Sequence, residues 1–121
     1  MDSAAEVVSL KAAFESFTEI WSPRIVGAVN DYDVKIAKGA GGFPEHAHPE
    51  TDEFFLVLDG TLHLDLPDRT VTLRSGEMFT VPRGVPHRPR AAEGTRLLMF
   101  EPRGTVNTGD PATGTTGTQL P

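Results

Sequence analysis

From Pro23 onward the chain is written in short runs of Val, Ile, Phe, Thr and Leu, each cut off by Gly, Pro, Asn or Asp: "RIVGAV", "YDVKIAK", "EFFLVL", "TLHLDL", "RTVTLR", "EMFTVP" and "RLLMFE". Runs of this length and composition, bounded by turn formers, read as strands. The separators "ND", "DG", "PD" and "SG" are short turn signals, so neighbouring strands are expected to pair antiparallel in a sandwich or barrel. One stretch reads differently. In "VVSLKAAFESF", Val7, Leu10, Phe14 and Phe17 recur at spacings of three and four. That spacing predicts a short amphipathic helix, with Ser3 and Glu6 as its capping box. The expected organisation is a helix and lead-in strand over 1–22, an all-β barrel over 23–104, and a turn and flexible tail over 105–121. In the tail, "TVNTGDPATGTTGTQLP" offers only Val106 and Leu120 as large apolar side chains.

At 121 residues, with 38% hydrophobic content, the chain has room for one hydrophobic core. A net charge of -6 works against sequence-independent affinity for phosphate backbones or anionic lipid, so neither nucleic acid nor membrane is an expected partner. With no cysteine, a bound metal must be held by histidine and carboxylate. The start "MDSAAEVVSL" carries acid where a signal peptide needs base, and no apolar run approaches spanning length, so a cytoplasmic protein is expected.

Two of the four histidines stand one residue apart in "HAHPETDEFFLVLDG". On a regular strand, residues i and i+2 share a face about 6.6 Å apart at ~3.3 Å per residue. At that separation His46 and His48 can converge on one ion. Glu53 has the opposite parity, so it needs a break in the strand, which Pro49 and "PETD" supply. It then opens a strand with Glu53, Phe55 and Val57 on one face and Phe54, Leu56 and Leu58 on the other. Both faces are apolar, one for a barrel interior and the other for a second sheet, the helix or another subunit; a homodimer is expected on this ground. His87 follows Gly76, Pro82, Gly84 and Pro86, residues that shape a backbone and so aim the side chain.

These residues resemble the two signature motifs of the cupins, small barrels of the double-stranded β-helix or jelly-roll kind. His46, His48, Glu53 and Gly60 match the first, preceded by Gly41 and Gly42. Gly76, Pro82, Gly84 and His87 match the second, Gly-x5-Pro-x-Gly-x2-His-x3-Asn, except that Ala91 stands where Asn is expected, and no role is carried over to it. The resemblance implies His46, His48, Glu53 and His87 as ligands of one divalent transition ion. Imidazole with carboxylate suits Fe, Mn, Ni, Cu or Zn. In an octahedral arrangement, four protein ligands leave two positions for water, oxygen or a bidentate substrate.

Cupins include dioxygenases, isomerases, lyases and non-catalytic binders, so two functions stand side by side. One is a metalloenzyme acting on a small polar organic molecule; the other is a binding module for a sugar or organic acid. An acid or base beyond the four ligands would separate them, and the sequence singles out none. His63 alternates with Leu62 and Leu64 and falls on the opposite strand face, a structural position. Glu50 and Asp52 read as solvated turn residues rather than partners of the histidines. Arg83, Arg88 and Arg90 are as well explained as rim charges as they are by a clamp on an anionic substrate. Tyr32 is expected to pack rather than to enter the cavity. The ending "EPRGTVNTGD" is similar to that of some small bacterial cupins, and a plain turn accounts for its Asn107 and Asp110 equally well.

Overall fold

The longest strand organises the others. In the computed structural model, which describes residues 6–109, 114 and 117–119, the described residues form one helix, α1 (Leu10–Glu15), and eight strands. These are β1 (Arg24–Val29), β2 (Tyr32–Gly42), β3 (Glu53–Asp59), β4 (Thr61–Asp65), β5 (Thr70–Arg74), β6 (Met78–Val81), β7 (Arg88–Pro102) and β8 (Thr118–Gln119). Along one edge β7 pairs antiparallel with β2, from Tyr32↔Pro102 to Gly42↔Arg90. Its other edge is shared: the first part pairs with β4 (Leu62↔Ala91 to Asp65↔Arg88) and the last part with β3 (Phe54↔Phe100 to Asp59↔Arg96). Outer strands complete the order β5-β4-β7-β2-β1-β8, with β6 on β3. The fold is an all-β jelly-roll barrel with one short helix, as the strand rhythm predicts. No helix among the described residues is long and apolar enough to cross a membrane.

One strand can serve two partners only by bending. The β2–β7 register is irregular between Gly39 and Gly41, which face Thr95 and Ala91. Gly94 at the bend has φ +84°. Thr95, fully buried, secures the bend: its Oγ1 donates to the Ala92 carbonyl (2.7 Å) and accepts from the Thr61 N–H (3.1 Å). Gly60 lies against it with φ +87°, and a Cβ there would stand 2.7 Å from the Thr95 Cα. The motif glycine is therefore set by backbone contact, which no other residue could make without moving β7.

Alternation sorts the side chains. Phe55, Val57, Leu62, Leu64, Leu73, Val81, Leu97 and Met99 point inward with Ala37 to form the main core. Each such side chain contributes about 1.5–3 kcal/mol by leaving water. On the outer face, Phe14 and Phe17 bury against Ile36, with Leu10, Val26 and Leu58 around them. The Lys38 ammonium donates to the Phe17 carbonyl, and the Arg24 guanidinium sits 4.5 Å over the Phe17 ring. The rest of that face is a half-buried apolar stripe in which Phe54 pairs with Phe100, and Leu56 with Leu98 and the exposed Met78.

Three local expectations change. The helix begins later than its apolar spacing predicts: Ser9 is the cap, its side chain accepting from the Ala12 N–H at 3.2 Å, and Val7 is 97% exposed ahead of it. Ser3 of the predicted capping box lies outside the described residues. The lead-in strand shrinks to one parallel bridge, Ile20↔Lys38, because Trp21 turns the chain with φ +52° and donates its indole N–H to the Ala40 carbonyl (3.0 Å). The segment expected as a loose tail comes back to the sheet, where Thr118 and Gln119 pair parallel with Arg24 and Ile25.

Candidate metal centre

His46, His48, Glu53 and His87 meet in one place, their ligand atoms all within 4.8 Å of one another. They arrive from three directions. Glu53 is the first residue of β3 and points inward with Phe55, as its parity predicts. His46 and His48 do not lie on a regular strand. Pro44 and Pro49 interrupt the segment, and its only ladder element is an isolated bridge in which the His46 and His87 backbones exchange two hydrogen bonds (3.0 and 2.9 Å). That bridge ties the two motifs together. The Gly84 N–H adds a bond to the His48 carbonyl (2.8 Å), so the turn built by Pro82 and Gly84 holds the first motif as well as its own histidine.

The ring geometry fixes which nitrogens face inward. His46 Nδ1 lies 2.8 Å from the Pro44 carbonyl and His87 Nδ1 3.0 Å from the Val85 carbonyl. A carbonyl only accepts, so each Nδ1 carries the proton, and in the neutral ring Nε2 presents a lone pair. All three Nε2 atoms converge on Glu53 Oε1, at 2.8 Å from His87, 3.1 Å from His48 and 3.8 Å from His46. His48 Nε2 is buried and makes no hydrogen bond of acceptable geometry. Lone pairs aimed at a carboxylate oxygen repel unless positive charge lies among them, whether protons on the rings or a metal ion. An octahedral ion with bonds of about 2.1 Å sets its ligands about 3 Å apart in cis and about 4.2 Å in trans, and the 2.8, 3.1 and 3.8 Å separations from Glu53 Oε1 lie in or next to that range. The residues fit a divalent ion of the kind that takes imidazole and carboxylate. Burial alone would raise the Glu53 carboxyl, but the three imidazoles that face it outweigh burial and hold the group well below the usual carboxylate range.

Beside the cluster is a small cavity with mostly apolar walls, including Trp21, Phe43, Phe55, Leu97 and Met99; His46, Glu53, Glu101 and Asn107 supply its polar groups. Sequence reasoning passed over Glu101. The register that pairs Phe54 with Phe100 carries Glu101 beside Glu53 one step further on. Its Oε1 lies 3.2 Å from the Lys35 Nζ, both side chains being essentially unexposed, and the ammonium also donates to the Thr105 carbonyl (3.2 Å). Burial, and next the Glu53 charge, push the Glu101 carboxyl up to about 7 against the pull of Lys35. The available signal was parity: Lys35 falls between Asp33 and Ala37, and Glu101 follows Leu97 and Met99 on one strand face.

The remaining candidates lie elsewhere. His63 is on the outer face of β4, its Nδ1 2.9 Å from Thr72 Oγ1. Asp52 accepts the Arg83 N–H (2.9 Å) and so braces the second-motif turn, while Glu50 is exposed. None of the three arginines lines the cavity. Arg90 forks onto Asp65 (2.6 and 2.9 Å), holding that carboxyl well below its usual range, and Arg88 lies beside Gly42 in a separate surface hollow. Tyr32 stacks on Phe100 with centroids 4.9 Å apart. Ala91 packs against the core. Asn107 reaches the cavity wall; Asp110 lies outside the described residues.

The model of the cupin domain family matches residues 32–101, and the chain belongs to that family. It is 37% identical over 77 residues to the protein YdbB of Bacillus subtilis, covering 63% of this chain and 68% of that one. Over 78 residues it is 37% identical to the quercetin 2,3-dioxygenase of the same organism, covering 62% of this chain but 23% of the enzyme. It is 28% identical over 101 residues to a 3-hydroxyanthranilate 3,4-dioxygenase of Xanthomonas campestris, covering 78% of this chain and 57% of that one. The chain thus spans about a quarter of one dioxygenase and somewhat over half of the other. Among solved structures, a cupin-2 domain protein of Shewanella frigidimarina superposes with a TM-score of 0.80 at 39% identity, over 84% of this chain and all of that one.

Proposed function

We propose that this cupin is a metalloenzyme in which His46, His48, Glu53 and His87 hold one divalent first-row ion, and that it acts as an oxygenase on a small organic molecule admitted to the adjoining cavity. The observation that carries the reading is the convergence of three imidazole nitrogens on one carboxylate oxygen, with Nδ1 of His46 and His87 committed to backbone carbonyls. Such a set needs a cation at its centre. The dioxygenase relatives favour oxygen chemistry over isomerisation or elimination. An ion in this setting would supply Lewis acidity and, if it is redox-active, a place for oxygen to react. The chain's own residues fix the imidazole tautomers, exclude water through Phe43, Phe55 and Met99, and present the substrate's face to the cluster.

Elemental analysis of untagged protein, before and after incubation with Fe(II), Mn(II), Ni(II), Cu(II) and Zn(II), tests the metal; about one ion per chain is expected, and no uptake of any would refute it. Oxygen uptake by the Fe(II), Mn(II), Ni(II) and Cu(II) forms, screened against small phenols and hydroxy acids, then tests the chemistry. Stoichiometric metal with no turnover on any of them would favour the binding-module reading.

We also propose a homodimer through the stripe of Phe54, Leu56, Leu98, Phe100 and Met78, which α1 leaves uncovered. Light scattering at low micromolar concentration should give twice the chain mass; a monomer mass would refute it.

A further inference from the structure

The turn after β7 lies against the loop that carries the first histidine pair. His46 and His48 are held from the side of the second motif, by the two backbone bonds between His46 and His87 (3.0 and 2.9 Å) and by the Gly84 N–H on the His48 carbonyl (2.8 Å). Among the described residues no hydrogen bond holds the Ala47 backbone between them. What Ala47 meets is Gly109: a Cβ built there would stand 3.1 Å from the Ala47 carbonyl carbon and closer still to its oxygen. Gly109 also has φ +75°, which favours glycine on its own account. The turn that delivers it is tied down. The Arg103 N–H donates to the Asp31 carbonyl (2.9 Å), and the Thr105 N–H and Oγ1 both donate to the Pro102 carbonyl (3.1 and 2.7 Å). The Lys35 ammonium holds the Thr105 carbonyl (3.2 Å), and the Gly109 N–H donates to the Val106 carbonyl (2.9 Å).

We infer that Gly109 is a positioning residue for the metal centre: the turn after β7 is a strap whose bare Cα seats on the Ala47 backbone and holds the His46 and His48 rings at the cluster. The inference rests on the metal-centre reading above and adds a residue, outside both motifs, on which that site depends. Ala47 is flanked directly by the two histidines, so a shift of its peptide turns both rings. Their Nε2 atoms lie 3.8 and 3.1 Å from Glu53 Oε1, and metal–ligand bonds hold to within ~0.2 Å of their preferred lengths. A Cβ at position 109 overlaps the Ala47 carbonyl by more than that, so either the loop or the strap has to move.

The test measures the Kd for Zn(II) by competition with a chelator, and the absorption spectrum of the Co(II) form, in full-length untagged protein. Three variants separate contact from strain. Gly109→Ala adds the Cβ and forces a left-handed backbone on it. Gly109→Asn adds the same Cβ on a residue that tolerates that backbone. Gly104→Ala meets the backbone strain alone, since Gly104 has φ +86° and no atom within 4 Å of where its Cβ would be. Both Gly109 variants should bind Zn(II) about 10–100-fold more weakly, the usual cost of losing a residue that orients a metal ligand, and should shift the Co(II) spectrum. Gly104→Ala should match wild type in both readouts. Position 109 lies outside both hydrophobic cores, so all three should still melt cooperatively without metal. Wild-type affinity in Gly109→Ala would overturn the inference, as would its recovery in Gly109→Asn, an equal loss in Gly104→Ala, or a Gly109 variant that no longer melts cooperatively; in each case the metal centre stands. Wild type that takes up neither Zn(II) nor any other ion overturns the metal-centre reading and the inference with it.

Discussion

The barrel encloses two clusters of buried charge within one strand spacing of each other, and they solve the same problem in opposite ways. Lys35 and Glu101 bring both signs, so their charges compensate internally and only Glu101 Oε2 lacks a partner. The three histidines and Glu53 bring acceptors aimed at acceptors, and backbone carbonyls take the N–H groups of His46 and His87 that might have relieved them. One cluster carries its own counter-charge; the other is the one that the proposed ion would complete. A buried pair with its own counter-charge is an element of structure, whereas a buried set with none is a receptor for charge.

The largest effect expected from breaking this contrast is at the self-compensated pair. Glu101→Leu leaves the Lys35 ammonium buried with only the Thr105 carbonyl, a loss of about 3–5 kcal/mol for a broken buried ion pair. Urea denaturation of metal-free protein should show that loss, and Lys35→Met/Glu101→Leu should recover most of it. His48→Ala in the same metal-free protein removes a nitrogen that has no hydrogen bond, and should cost far less than Glu101→Leu. If the two single variants are equally destabilised, the clusters do not differ in the way described.

Metal sharpens the contrast from the other side. An ion that binds only the native state stabilises it by about 2.7 kcal/mol at one hundred times its Kd, which for a domain of this size raises the melting temperature on the order of 10 °C. Wild type should show this rise with the preferred ion. His48→Ala and His87→Ala should lose most of it, and His63→Ala, whose ring is turned outward onto Thr72, should respond like wild type. A variant pattern in which His63→Ala loses the response and His48→Ala keeps it would reverse the assignment of the strand faces.

The two clusters were also unequally legible in the sequence. His46, His48, Glu53 and His87 sit among glycines and prolines that shape the backbone, and their spacing could be read without knowing the fold. The regular strand assumed for "HAH" was not needed: the two-bond bridge to His87 holds the segment extended enough for both rings to turn inward. Lys35 and Glu101 lie in plain strands, far apart along the chain, and meet only through the β2–β7 register. Parity placed each on one face of its strand. It pointed to the wrong face of β2, because Val34 and Ile36 are more apolar than Asp33, Lys35 and Ala37, whose face turns inward while Ile36 packs under the helix. The helix start was misplaced for a related reason. Ser9 has no acidic residue three positions on to complete a capping box, so the apolar spacing from Val7 pointed further upstream, where nothing in the described structure covers that side chain. The turn at Trp21 depends on a long-range indole bond to Ala40, which no local signal carries.

The smallest expected effect separates the clusters by pH. Burial and the Glu53 charge raise the folded Glu101 carboxyl to about 7, above the value of 4.5 for an unperturbed glutamate. Between these values the native state therefore holds more protons than the unfolded chain. The stability this contributes is fully present below about 4.5 and is lost as pH rises through about 7. Glu53 has the opposite sign: its carboxyl is held below the usual range, so its contribution is present above that range and fades in acid. Melting temperatures of chelator-treated wild type and Glu101→Gln, taken from pH 5 to pH 8, should therefore converge or cross, with wild type losing ground as the pH rises. The comparison within each pH cancels the histidines common to both chains. Addition of the preferred ion should shrink the difference, because a cation beside Glu53 removes one of the charges that raises Glu101. Parallel melting curves across that range would mean that Glu101 does not titrate there, and that Lys35 alone keeps it ionised.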